Sequence, residues 1–379
     1  MSDAIRRRGY LDWVRGLAVL IMIQAHVLDS WTRLDARGAW QFRWAIIVAG
    51  FGAPLFLFLA GTSVALSAGS KERRTGDRRA GARAVMKRGV WIFFLAFVFR
   101  VQSWILGWGQ PRTMLRVDIL NIMGPSIVAA AALWGALRST RARWLAFAAS
   151  ALGVSLLTPI VRSARILDAL PDPIEAYLRP AYGSNFCLFP WLGFVFAGAV
   201  LGVRLDGVRS PRTESRLNAW FFGAGTALAL GAYGASFLPS PYAQSDFWRS
   251  SPSYFLLRTG ILIVLVPLAY VWEKVAVLGS WSPMEQMGRN SLFIYWIHVE
   301  MVYGLISIPI HNSLTHRQAW AAYAVFVVFM FLCSMAKDRV VRWWNAGTRD
   351  KGPGERDKGK GKGKGPKGKG EEEKLLHRI

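Results

Sequence analysis

The chain has 379 residues, 53% of them hydrophobic, and a formal net charge of +24 from 47 Lys and Arg against 23 Asp and Glu. A soluble basic protein would spread those cations over its surface. Here they fall in short clusters between apolar runs of about 20 residues, each long enough to cross a hydrocarbon core of about 30 Å as a helix. The pattern excludes a nucleic-acid binder and predicts an all-α, polytopic protein whose first partner is the lipid bilayer.

The apolar runs predict about ten spans, near residues 13–28, 44–67, 90–106, 119–137, 144–161, 186–203, 217–237, 254–272, 291–308 and 320–335. Many of the eighteen tryptophans stand at the ends of these runs, among them Trp13, Trp31, Trp40, Trp104, Trp108, Trp281, Trp343 and Trp344, as in an interfacial belt. No small-residue cleavage site follows the first run, so it is expected to stay as a signal anchor. Arg6, Arg7 and Arg8 precede it. The second connection is strongly basic from Lys71 to Arg88, the fourth carries Arg138, Arg141 and Arg143, and the sixth carries Arg204, Arg209, Arg212 and Arg216. The intervening connections are poorer in cations, which places both termini in the cytoplasm. In the eighth connection Lys274 and Arg289 are matched by Glu273 and Glu285, so it contributes little to this assignment.

The loops 162–184 and 238–253 are rich in Pro, Tyr and Asp, and are read equally well as covers over a site or as plain connectors. Cys187 and Cys333 lie inside apolar runs and read as buried thiols rather than a disulfide. A membrane domain is expected over 1–345. Residues 346–379 include GERDKGKGKGKGPKGKGEEEKLLHRI, a Lys/Gly-rich stretch that cannot bury apolar surface and is expected to be a disordered cytoplasmic tail drawn to anionic lipid.

Chemistry concentrates in the first run, VRGLAVLIMIQAH. Arg15 and His26 are eleven residues apart, close to three helical turns, so they share a face. Asp12 and Asp29 extend the same stripe by one turn at either end, with Val19 and Met22 between. A polar stripe on an otherwise lipid-like helix faces the bundle interior. Each residue also has a plainer reading. Arg15 can snorkel and pair with Asp12, His26 can be a satisfied interfacial residue, and Asp29 can simply begin the loop.

Two further stretches hold polar groups. RVDILNIMGPS contributes Asp118 and Asn121, and GRNSLFIYWIHVEMVYG contributes Asn290, Ser291, Tyr295, His298 and Glu300. Helical spacing aligns Ser291, Tyr295 and His298 and turns Glu300 away from them. His311 and His316 are expected to be solvated in a loop, and no metal site is expected. GxxxxGK[ST], HExxH and CxxC motifs are all missing from the sequence.

The opening YLDWVRGLAVLIMIQAHVLDSWT resembles the first span of bacterial transmembrane acyltransferases grouped with the heparan-α-glucosaminide N-acetyltransferase catalytic domain, a group related to acyltransferase 3. Arg15 and His26 match the Arg-x10-His signature of acyltransferase 3. FGAPLFLFLAGTSVALS, FCLFPWLGFVFAGAVLG and GRNSLFIYWIHVEMVYG agree in order, so the resemblance covers residues 8–336. It implies ten membrane helices in a bacterial cytoplasmic membrane and an acyl-CoA donor, usually acetyl-CoA, approached from the cytoplasm. It also implies a saccharide-like acceptor hydroxyl or amine on the far side. Carried over, His26 is the catalytic residue and Arg15 part of the donor site, while Tyr295 and His298 fall in the C-terminal motif. On chemical grounds His26 can act as general base or acyl relay and Asp29 can fix its tautomer. Arg15, paired with Asp12, can hold the coenzyme A phosphates with Arg73 and Arg74 as weaker candidates, and Asn121, Asn290, Ser291, Tyr295 and His298 are candidates for acceptor or oxyanion contacts. A homodimer is one admissible assembly. The eukaryotic heparan enzymes carry Asn at the place of His26 and a histidine in the next loop; SWTRLDARGAW has none. The rival reading on physical grounds alone is a transporter of an anionic solute.

Overall fold

The structure is a computed structural model describing residues 8–107, 114–275 and 281–349. Among these residues it is helical throughout, with no named strand and one isolated bridge between Thr32 and Leu314. Thirteen α-helices follow in order: α1 Gly9–Trp31, α2 Trp40–Ala49, α3 Gly52–Thr75, α4 Arg78–Gly107, α5 Ile119–Ala136, α6 Thr140–Ser163, α7 Asp172–Leu178, α8 Leu188–Asp206, α9 Pro211–Ala235, α10 Pro252–Val275, α11 Pro283–Arg289, α12 Ser291–Tyr303 and α13 His316–Arg349. Every expected span falls on a helix, and seven helical stretches among the described residues are long and apolar enough to cross a membrane. These are α1, α2 with α3, α5, α6, α8, α10 and α13 up to Ala346. The fold is that of an all-α, multi-pass membrane protein. Large apolar side chains such as Trp220, Leu230, Val325 and Leu332 point outward, as a lipid-facing surface requires.

The ninth expected span differs most from its sequence reading. α12 stops at Tyr303, Gly304 turns the chain, and a 3-10 segment Leu305–Ile310 containing Pro309 completes the run. Pro309, which cannot donate to a helical ladder, keeps the later part of the run from resuming an α-helix. The last helix reaches Arg349, beyond the 345 boundary expected for the membrane domain; the rest of the tail, Arg6, Arg7 and Trp108 lie outside the described residues.

Ion pairs tie together the ends that the charge pattern assigned to one side. Arg8 meets Glu214 at 2.7 Å, Arg73 meets Asp206 at 2.5 Å, and Arg143 meets Glu72 at 2.9 Å. The start of α1, the end of α3, the start of α6, the end of α8 and the start of α9 thus share one end of the bundle.

Two helix crossings are close because they are built on glycine. A Cβ on Gly198 of α8 would sit 1.7 Å from the Phe58 carbonyl oxygen of α3, and one on Gly61 would sit 1.8 Å from the Val195 oxygen. Thr62 Oγ1 donates across this crossing to the Gly198 carbonyl at 3.1 Å. In lipid, where apolar contact gives no solvent-driven gain, such backbone approach holds helices together. The same device docks α11 on α1: Cβ atoms on Gly16 and Gly288 would lie 2.0 Å from Met284 O and 1.9 Å from Asp12 O. α1 packs against α2, α3, α10, α11, α12 and α13.

Candidate active site

The polar stripe of α1 faces inward. Asp12, Val19 and Met22 are buried, Arg15 and His26 partly exposed, and Asp29 exposed at the helix end. Gln24, a polar residue off that stripe, is also buried and donates to the Ala45 carbonyl of α2 at 2.9 Å.

His26 meets His298 of α12. The Nδ1 of His26 lies 2.8 Å from the Nε2 of His298, with ring planes 8° apart and centroids separated by 5.0 Å. Ring faces cannot approach to 2.8 Å, so the imidazoles lie edge to edge along a hydrogen bond. The direction of that bond follows from its far end. His298 Nδ1 lies 2.7 Å from the Ile294 carbonyl oxygen, which can only accept. His298 Nδ1 therefore carries the hydrogen, and in the neutral ring Nε2 accepts. His26 must donate through Nδ1, which leaves its Nε2 with a free lone pair. The network assigns the tautomer a general base needs.

The end of α12 is locked to α1 beside this pair. The Val302 carbonyl accepts from Ser30 Oγ at 3.1 Å, Trp31 Nε1 at 3.2 Å, Ser307 Oγ at 2.7 Å and His311 Nε2 at 3.0 Å. A helix end leaves carbonyls without partners, and here α1 and the 3-10 segment supply them. His311 is thus bonded rather than solvated, and His316 accepts from Trp320 Nε1 at 3.0 Å.

Asp29 stands outside the His26–His298 bond. It accepts from the Tyr303 hydroxyl at 3.0 Å, and Arg37 lies 3.9 Å away while also donating to its carbonyl. The group on His26 Nδ1 is His298, and Asp29 acts on His26 only through its charge. Tyr303 packs edge-on to the His26 ring, centroids 5.5 Å apart.

The other candidates separate. Tyr295 is one turn below His298, and its hydroxyl donates to Asp118 Oδ2 at 3.4 Å, beside Arg100 at 3.4 Å. Asn121 accepts from the Asp118 backbone at 3.1 Å while Asp118 caps Leu120 at 2.8 Å, so the pair forms the capping box of α5. Tyr177 of α7 packs against the cluster of Val117 and Ile122 at the start of α5. The 162–184 loop thus covers the start of α5, where Ser184 Oγ accepts from Val117 at 2.9 Å. Ser291 lies seven residues before His298, a rise of about 10 Å, too far to serve chemistry at His26. Asn290 is structural: it donates to Asp338 at 3.1 Å and to the Gln286 carbonyl, and accepts from Lys337 at 2.9 Å.

At the other end of the stripe, Arg15 donates to Asp12 at 2.6 Å and to Ser63 Oγ of α3 at 3.1 Å, and Arg88 of α4 is near enough to repel it. Arg73 and Arg74 do not join this cluster. They lie ten and eleven residues beyond Ser63 along α3, about 15 Å away. Arg73 is paired with Asp206 and Arg74 is exposed. Two cavities open at that end, of 240 Å³ between Arg73, Trp134, Arg143 and Arg209, and of 320 Å³ between Arg78, Arg79 and Arg138. Neither reaches His26. Among the described residues no cluster of His, Cys, Asp and Glu could hold a metal, and both cysteines are free thiols.

The profile of the heparan-alpha-glucosaminide N-acetyltransferase catalytic domain matches residues 7–224. The chain belongs to this family. It is a multi-pass membrane protein of an acetyltransferase family, and the matched region holds Arg15, His26, Arg100 and Asp118. α12, with His298, lies beyond it. A comparison with curated proteins gave no match.

The sequence reading missed three things: the pairing of His298 with His26, the place of Tyr303, and the part played by Arg100. Each depends on which helix stands opposite, which spacing along one helix does not encode.

Proposed function

We propose that the protein transfers an acetyl group from acetyl-CoA to an acceptor hydroxyl or amine, with His26 as general base. The observation that carries this reading is the chain from the Ile294 carbonyl through His298 to His26, which leaves His26 Nε2 able to take a proton. As the acceptor oxygen or nitrogen attacks the thioester carbonyl, its proton passes to His26 Nε2. The tetrahedral adduct then collapses with loss of the coenzyme A thiolate, which recovers that proton from the imidazolium. Tyr303, edge-on to His26, is the nearest phenol to this step.

The donor enters from the Arg15 end, which the excess of Lys and Arg assigns to the cytoplasm of a bacterial cell. Arg15 and Arg88 together attract phosphate, and the extended pantetheine arm follows the stripe over the rise of about 16 Å to His26. The acceptor then reaches His26 from the opposite side of the membrane, and the family supports a sugar as its class.

The test is acetyl-CoA-dependent thermal stabilisation of the purified protein, wild type beside Arg15→Ala, with free coenzyme A for comparison. A shift in the wild type that the variant loses supports a donor site at Arg15. A folded wild type that shows no shift refutes the donor and with it the acyltransferase.

A further inference from the structure

The two cavities at the Arg15 end of the bundle differ in how their arginines are engaged. In the cavity of 240 Å³ each arginine has a partner. Arg73 pairs with Asp206, Arg143 pairs with Glu72, and Arg209 donates to the Asp206 and Val208 carbonyls. The cavity of 320 Å³ is lined by Glu72, Asp77, Arg78, Arg79 and Arg138. Both of its carboxylates are already bonded. Glu72 accepts from Arg143 and, at 2.9 Å, from Trp134 Nε1. Asp77 accepts from the Arg79 backbone at 2.7 Å and from Arg83 at 3.2 Å. The side chains of Arg78, Arg79 and Arg138 form no ion pair or hydrogen bond among the described residues, and Arg78 Nη1 is buried without an acceptor.

Three guanidinium groups thus line one cavity whose two carboxylates are held by other arginines, so the cavity attracts an anion. The geometry narrows which one. Arg78 and Arg79 open α4, whereas Arg138 stands in the link from α5 to α6, so the ligand must accept from two elements at once. A phosphate presents oxygens in several directions and pairs well with guanidinium groups. A carboxylate offers two oxygens in one plane. No aromatic side chain lines the cavity to stack a nucleotide base.

The depth of the cavity points to a lipid. α5 is apolar from Ile127 through Leu137, the residue before Arg138, and the exposed side of α6 turns apolar at Leu145. A Cβ on Gly135 of α5 would lie 2.8 Å from the Ala82 Cβ of α4. Arg78 and Arg79 therefore stand about one turn beyond the apolar end of α5, at the headgroup level of a bilayer that α5 and α6 cross. The donor phosphates belong to another place. Arg15 bonds Ser63 of α3, and Glu72 lies nine residues further along that helix, about 14 Å away.

We propose that the Arg78–Arg79–Arg138 cavity binds the phosphate of an anionic phospholipid from the leaflet on that side of the membrane. A zwitterionic headgroup fits less well, because its ammonium would add a fourth cation to three. Bound there, the phosphate joins the start of α4 to the α5–α6 link and stabilises the bundle. This site is separate from the acyltransferase reading and stands or falls without it.

The test uses the full chain, purified in a neutral detergent and stripped of lipid, with the thermal midpoint as readout. Phosphatidylglycerol at about tenfold excess over its Kd should raise the midpoint by at least about 2 °C. Phosphatidylcholine with the same acyl chains should not. Arg79→Gln combined with Arg138→Gln should abolish the phosphatidylglycerol shift and leave the midpoint in phosphatidylcholine nearly unchanged, since both side chains are exposed. Arg74→Gln combined with Arg141→Gln removes two equally exposed arginines that do not line the cavity, and should keep the shift. Equal loss in the two pairs means diffuse attraction to a basic surface and overturns the inference. So does a wild type that phosphatidylglycerol does not stabilise. Inorganic phosphate and free coenzyme A are the soluble arms: a shift from either that matches the lipid's and is lost in Arg79→Gln with Arg138→Gln assigns the cavity to a soluble ligand and overturns the lipid. Should that pair fold poorly, Arg138→Gln alone is read by native mass spectrometry. It should retain fewer phosphatidylglycerol molecules than wild type, and an equal number overturns the inference.

Discussion

Replacing His298 by Ala probes the assignment of the proton at His26. His298 is fully buried, and its two nitrogens are bonded at 2.7 and 2.8 Å. The substitution removes the only group bonded to His26 Nδ1 among the described residues and leaves a cavity. A lost net hydrogen bond of about 1.4 kcal/mol lets the wrong tautomer compete, a factor of about ten. The freed ring also loses its aim, and general-base catalysis is worth about 10²–10⁴ in all. The expected fall in kcat is therefore about 10²-fold. Because Arg15 lies about 16 Å along α1, the KM for acetyl-CoA should not move. Stability should fall by about 2–4 kcal/mol, from the cavity and the unpaired N–H. His298→Gln offers a carboxamide oxygen to the same N–H and should recover part of the rate. The assay is coenzyme A release at saturating donor, with folding checked by the thermal midpoint. A folded His298→Ala protein with kcat within about twofold of wild type, well inside that expected loss, refutes the tautomer argument.

Other outcomes follow from the same contacts. Asp29→Asn leaves the His26–His298 bond intact and should cost under about tenfold in kcat, far less than His298→Ala; equal losses in the two variants would restore Asp29 as the partner of His26. Gly198→Ala places a methyl 1.7 Å from a backbone oxygen that cannot swing aside, so α3 and α8 must part and the Thr62 bond is lost. Its cost should be about 3 kcal/mol, read as a lowered melting midpoint in detergent; an unchanged midpoint contradicts the crossing. Glu72→Ala strips the carboxylate from Arg143, a buried guanidinium stacked 3.9 Å over Trp134. Because Glu72 is itself partly exposed, a loss of about 2–3 kcal/mol is expected, toward the lower end for buried pairs. No loss would mean the pair is fully screened.

The helices were legible because lipid enforces long apolar runs, and each expected span fell on one. The inward stripe of α1 was legible for a related reason: a helix fixes the spacing of its own residues, so Asp12, Arg15, Val19, Met22 and His26 had to share a face. Partners across helices were not legible. Nothing in the spacing of α12 says that His298 meets α1 while Glu300 meets α4, since that depends on a rotation set by packing and by the bonds gathered on Val302. The distance of Asn290 and Ser291 from His26 was not legible either, because they belong to the same motif as His298 but stand about two turns below it. Nor were the contacts of Asp29 with Tyr303 and Arg37, since a carboxylate one turn from a histidine reads equally well as that histidine's partner. The run 291–308 looked like one span because hydropathy does not register the break at Gly304.

In the proposed reaction His26 removes the proton from the acceptor. Its most direct test is transfer of radiolabelled acetyl from acetyl-CoA by wild type and His26→Ala, with donor affinity measured on the same preparations. Transfer should fall at least about 10²-fold with donor affinity unchanged. Turnover near the wild-type rate in the variant would contradict it.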